Sequence, residues 1–238
     1  MIQLTLTSGT YSVPTMLKEI TIAQALEVER IYSTCPESVI KAWSDPGTEV
    51  WSADAEAERI ALCAIAEVLS GAPREELAAL PPATTAQLLN IIRLAFVAQI
   101  VFGIFDTDEV EQMEYFDFEG ERYYLPISER DVNGEQTPLA AERALTWAQA
   151  TDLMIAQKDG HKYMPLIIAI LCRPEGEEYN EQTAKRRAEA FINLPANIMV
   201  EVFFCCNALS NIYRLCTLGA LAQVRREQEQ QSTEAEQR

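Results

Sequence analysis

PANIMVEVFFCCNALSNIYRLCTLGALAQVRR, residues 195–226, reads as one long helix. Proline is tolerated in a first helical turn because its missing N–H would be unpaired there, so Leu194-Pro195 marks a helix start. Ile198, Met199, Val202, Phe203, Cys206, Leu209, Ile212, Tyr213, Cys216, Leu218 and Leu221 then recur at three- and four-residue steps, with further apolar residues between them. An apolar face this wide must be covered by several other elements, which points to a mainly helical fold.

A second run of the same kind, LLNIIRLAFVAQIVFGIF, occupies residues 88–105, with Thr84 or Thr85 as the expected N-cap. Its length approaches that of a membrane span. Asn90, Arg93 and Gln99 would be costly in lipid, and no basic flank sets an orientation, so the expectation is a buried helix and no membrane.

Two alternating segments stand ahead of these helical runs, one before each. At the N-terminus Leu4 and Leu6 precede a Thr7-Ser8-Gly9 turn, followed by Tyr11, Val13 and Pro14. Residues 115–126, YFDFEGERYYLP, repeat the plan with Phe116 and Phe118, Gly120 in the turn, then Tyr123, Leu125 and Pro126. Alternation around a glycine-containing turn is the signature of a β-hairpin. The apolar positions of the two align without gaps, only the turn glycine being displaced by one. Helical patterns follow each hairpin, so the expected fold class is α+β, mainly α: a helical bundle with two small β-hairpins, read as an internal duplication. The expected halves are residues 1–110 and 111–226, with a polar tail at 227–238.

The intervening helices carry punctuation of their own. Thr21 is a natural N-cap for IAQALEVERIY, which should stop before Pro36. Trp43 and Trp51 flank a loop carrying Asp45-Pro46-Gly47 and either anchor it on the core or form a partner-binding surface. A helix over 53–69 ends at Gly71, and Pro81-Pro82 closes a short acidic linker. In the second half, helices are expected over 139–155, from Met164-Pro165 to before Pro174, and over 180–193.

Composition narrows the function. The 238 residues carry 36 acids against 19 bases, a formal charge of -17 that opposes binding to nucleic acid phosphates. No cationic, apolar leader opens the chain, and six cysteines without short paired spacings read as reduced thiols in a cytoplasm. His161 is the sole histidine, which rules out a histidine-based metal cluster. The acidic stretch 106–121 fails as a calcium loop, because counting from Asp106 the sixth and twelfth positions hold Glu111 and Asp117. Lys185-Arg186-Arg187 reads as a solvated helix face. No nucleotide-binding or nucleophile motif occurs, so no catalytic, cofactor or metal residues are expected. The candidate partner-binding residues are Trp43, Trp51, Phe203, Phe204 and Tyr213, for a protein partner or a second copy of the chain.

The order of these motifs carries a resemblance. An opening hairpin ending Tyr11-Ser12-Val13-Pro14 is followed by Phe118 to Pro126, Tyr163-Met164-Pro165, Arg187 leading to Phe191 and Leu194-Pro195, and then Phe203-Phe204. Together they resemble proteins encoded among the tail genes of tailed bacteriophages, including tail assembly chaperones and small tail or baseplate factors. The resemblance implies a non-enzymatic role in the host cytoplasm, binding a tail or baseplate component during assembly. A structural protein retained in the virion tail or connector is one alternative, and an enzyme whose carboxylates converge only on folding is another.

Overall fold

The structure, a computed structural model, describes residues 1–44, 54–100, 113, 115–125, 149, 152, 153, 156 and 161–202. Both hairpins form. Strands β1 (Ile2–Leu6) and β2 (Gly9–Val13) pair antiparallel with Leu4 opposite Tyr11 and Leu6 opposite Gly9, leaving Thr7-Ser8 as the turn. Strands β3 (Tyr115–Phe118) and β4 (Glu121–Tyr124) pair with Phe116 opposite Tyr123 and Phe118 opposite Glu121, around Glu119-Gly120. Side chains alternate across each ladder, so Leu4 and Val13 in one and Phe116 and Tyr123 in the other turn into the core.

The second turn has positive φ at both central residues, 51° at Glu119 and 85° at Gly120, the geometry of a type I′ turn, which matches the strand twist. Glutamate is a poor occupant of the left-handed region because its Cβ crowds the following carbonyl. Glu119→Asn is therefore expected to stabilise the protein by up to about 1 kcal/mol, measured by urea denaturation, since asparagine tolerates this conformation.

The rest is mainly helical. Helix α1 (Ile22–Ser33) opens on a capping box in which Thr21 Oγ1 accepts from Gln24 N at 3.2 Å and Gln24 Oε1 accepts from Thr21 N at 2.9 Å. Helix α2 (Glu37–Ser44) was not legible as such; it follows Pro36 directly and carries Trp43 in its last turn, where the sequence suggested the start of a loop. Helix α3 (Ala55–Ser70) is capped by Asp54 and closed by Gly71 at φ 72°. The expected linker contains helix α4 (Arg74–Ala78).

Helix α5 (Pro82–Ile100) begins earlier than its threonines suggested. Pro81 is its N-cap, and Thr85 lies inside the helix with its hydroxyl donating to the Pro81 carbonyl at 3.1 Å. By length and composition α5 qualifies as a membrane span. In this fold Leu88, Leu89, Ile92, Phe96, Val97 and Ile100 are buried, and the helix packs against α1 and α3. Its middle section, Ile92–Val97, is a π-helix. The buried pairs 88–89, 92–93 and 96–97 repeat every four residues. In an ideal α-helix such a repeat walks about 40° around the axis per step, off the core face. The wider π turn keeps the stripe facing inward.

Helix α6 (Met164–Leu171) lies against helix α7 (Glu181–Phe191), whose N-cap Asn180 accepts from Thr183 N at 3.0 Å. After α7 the chain does not enter a helix at Pro195. Pro195 instead faces Thr21 in an antiparallel bridge, with Ile22 N donating to Leu194 O and Ala196 N to Ile20 O, both at 2.8 Å. These neighbours supply the bonds, so the proline's missing N–H is not required. Helix resumes at 197–202. One buried cluster runs from Leu4 and Val13 through α1, α3 and α5 to Phe116, Phe191 and Leu194.

Candidate functional site

Two groups of side chains stand out from the apolar packing. The first joins α2, α3 and α5. Val39 and Trp43 share the buried face of α2, and the Trp43 ring stacks on Tyr32 of α1 at 6.1 Å between centroids. The Trp43 indole N–H donates to Glu58 Oε1 at 2.7 Å, and Glu58, in the first turn of α3, is fully buried. Beside them Arg93, 5% exposed within the π section of α5, donates from Nη2 to the Ala42 carbonyl at 3.1 Å. Burial pushes the Tyr32 phenol up to about 12, and its hydroxyl donates to Ile40 O at 3.2 Å.

Trp43, expected as a partner-binding residue, is 2% exposed and belongs to the core. Its ring fills the space between α1 and α3, and its one polar atom is used by Glu58. Arg93 was expected within a buried helix, whereas the burial of Glu58 was not foreseen, although a signal was present. Glu58 precedes Leu62, Ile65 and Leu69 at four-, three- and four-residue steps, so it sits on the inward stripe of α3. Arg93 likewise falls between Ile92 and Phe96 on the buried side of α5. A charged residue on such a stripe must be partnered, and here the partners tie three helices together.

The second group mounts hairpin β3–β4 on α7. Phe191, fully buried, meets the rings of Phe116, Phe118 and Tyr123 edge-on, with centroid distances of 5.7, 5.5 and 5.1 Å. One helical turn earlier, Arg187 lies 5.1 Å over the Tyr123 ring and donates from Nη2 to Glu177 Oε2 at 2.7 Å. So the basic cluster divides. Lys185 and Arg186 are exposed, as expected of a solvated face, while Arg187 is a packing residue of the hairpin seat. On the hairpin's outer face Arg122 stacks 3.8 Å above Tyr115 and pairs with Asp117 at 2.9 Å, and Tyr124 lies 6.0 Å from Tyr115.

Among the described residues the remaining titratable groups are dispersed. Glu27 and Glu56 sit below the ordinary carboxylate range because Arg30 and Arg59, three residues on, donate to them. Cys35 is half-buried and Cys63 and Cys172 are buried, none in a disulfide, and burial raises the thiol pKa of Cys35 and Cys63, which makes them poor nucleophiles. Tyr179 donates to Asp152. Among the described residues no group of three or more His, Cys, Asp or Glu is arranged to hold a metal ion.

Glu201 is raised above its ordinary 4.5 by burial, which outweighs a hydrogen bond from the Met113 backbone. A carboxyl raised in the folded state favours folding below its unfolded pKa and loses that advantage as pH rises through the folded value. Glu201→Gln is therefore expected to stabilise the protein at pH 7, with the gain vanishing below about pH 4.5, as read by urea titrations at both pH values.

Trp51, Phe203, Phe204 and Tyr213, the other candidate partner-binding residues, lie outside the described residues, as do residues 106–112 and 114 of the acidic stretch. His161 opens a short 3-10 turn before α6. The large apolar side chains that are exposed among the described residues are Met1, Ile2, Met16, Ile60, Leu94, Tyr115 and Ile192. Met1, Ile2 and Met16 share the open end of the first hairpin, where the terminal amine donates to Thr15 Oγ1 at 3.1 Å. Compared with protein families, with characterised proteins and with solved structures, the chain matches none.

Proposed function

We propose that this chain is a non-enzymatic assembly protein of a bacteriophage tail, chaperone-like, which binds a virion component through apolar side chains. The observation that carries the reading is how the polar side chains inside the described fold are used. Glu58 holds Trp43 and Arg93 holds the end of α2, so each of these two buried side chains fastens one helix to another, while the part-buried Arg187 holds Glu177 of the loop before α7. The ion pairs of Glu27, Glu56 and Asp117 are surface pairs within one helix or one hairpin. Such an arrangement suits a scaffold that presents surfaces better than a site that turns over a substrate.

The exposed apolar end of the first hairpin offers a client contact area, and the charge of -17 keeps the protein soluble and away from nucleic acid. The partner class comes from the resemblance to phage tail-gene proteins, and the working location is then the host cytoplasm. The test is a pull-down of the tagged protein from cells co-expressing its neighbouring genes, with mass spectrometry of the bound chains. A long helical tail or baseplate protein bound in fixed ratio is the expected result. Recovery of the protein alone, with all neighbouring products present and soluble, overturns the proposal.

A further inference from the structure

We infer that the chain is a tandem duplication in which one hairpin-and-helix module occurs twice. Two separate pieces of backbone geometry repeat. In the hairpins every pairing of the second ladder is a pairing of the first moved by 112 residues: Gln3 with Ser12 becomes Tyr115 with Tyr124, and Leu6 with Gly9 becomes Phe118 with Glu121. Both turns have two residues, Thr7-Ser8 and Glu119-Gly120.

The second repeat lies where the next helices meet a Leu-Pro pair, at Leu80-Pro81 and Leu194-Pro195, an offset of 114. There Ala79 N donates to Glu76 O and Leu80 N to Leu77 O; at the later site Asn193 N donates to Ala190 O and Leu194 N to Phe191 O. The residue three before each Leu-Pro leucine, Leu77 or Phe191, is buried. In each half this helix end also touches its own hairpin, through different residues: the exposed Glu76 Oε2 accepts from the turn residue Ser8 N at 3.2 Å, whereas Phe191, the counterpart of Leu77, packs on Phe116, Phe118 and Tyr123.

A single hairpin match is a weak sign, because alternating residues around a turn are common. Two matched pieces that keep nearly the same spacing, and contact one another in both halves, are not explained by a shared local motif. The copies agree where the seat constrains them and differ where it does not. Leu4 and Val13 correspond to the buried Phe116 and Leu125, whereas the outer positions Gln3, Thr5, Thr10 and Ser12 have become Tyr115, Asp117, Arg122 and Tyr124.

The test exchanges hairpin sequences within the full-length chain. Residues 3–13 are replaced by the sequence of 115–125 in register, and, in a second variant, by that of 114–124, one residue out of register. Duplicated hairpins with the same inward and outward positions predict that the in-register variant unfolds cooperatively, with Tm lowered by no more than about 10 °C for its larger side chains. The shifted variant, with every side chain turned to the wrong face, should lose cooperative unfolding. If both variants unfold, or both are tolerated alike, the inference is overturned.

Discussion

Phe191→Ala is expected to lower the unfolding free energy by about 3–5 kcal/mol, the range for removing a fully buried aromatic ring. The site lies toward the upper end, because three aromatic rings meet Phe191 edge-on and each such pair adds to the area term. Phe191 also stands immediately before the turn that leads to the Thr21–Pro195 bridge, so the void opens between the hairpin seat and that bridge. Phe191→Leu should recover a good part of the loss by filling volume without the ring contacts. Guanidinium denaturation of the three proteins measures this. A loss below 1 kcal/mol for the alanine variant would mean that hairpin β3–β4 does not rest on α7.

The second large effect is at Trp43. Trp43→Ala is expected to cost about 3–5 kcal/mol, since the ring is buried between α1 and α3. Trp43→Phe separates the hydrogen bond from the packing. It keeps most of the volume and removes the donor to a fully buried carboxylate, for which about 1.5–3 kcal/mol is expected. Combining Trp43→Phe with Glu58→Leu should cost less than the sum of the single changes, because the carboxylate that needed the indole is gone. Additive losses in that cycle, followed by denaturation, would mean that the two side chains are not coupled.

What the sequence disclosed and what it withheld divide along physical lines. Local features were readable: the hairpins from alternation, the start of α1 from Thr21, and the end of α3 from Gly71. Each is decided by residues that are neighbours in the chain. Helix α2 is short, and although Val39 and Trp43 are spaced four apart, the Asp45-Pro46-Gly47 turn signature beside Trp43 points to a loop there. Pro195 was misplaced for a different reason. Its bridge to Thr21 is a main-chain pairing between distant segments, which side-chain periodicity does not encode.

The polar core was half legible. Glu58 and Arg93 stand on apolar stripes, where a charge demands a partner, but the partner itself, the indole of Trp43 or the carbonyl of Ala42, is fixed only when the helices assemble. The π section of α5 is a similar case. The four-residue spacing of its buried pairs was visible, yet whether a helix widens or bends to meet such a stripe depends on the surface it packs against.

The proposal of a chaperone-like tail assembly protein is tested most directly by quantitative mass spectrometry of this chain across purified assembly intermediates and finished particles. The account predicts the chain in the intermediates, in fixed ratio to one helical tail component, and its absence from finished particles. A constant copy number in finished particles would contradict it and make the protein a structural part of the tail.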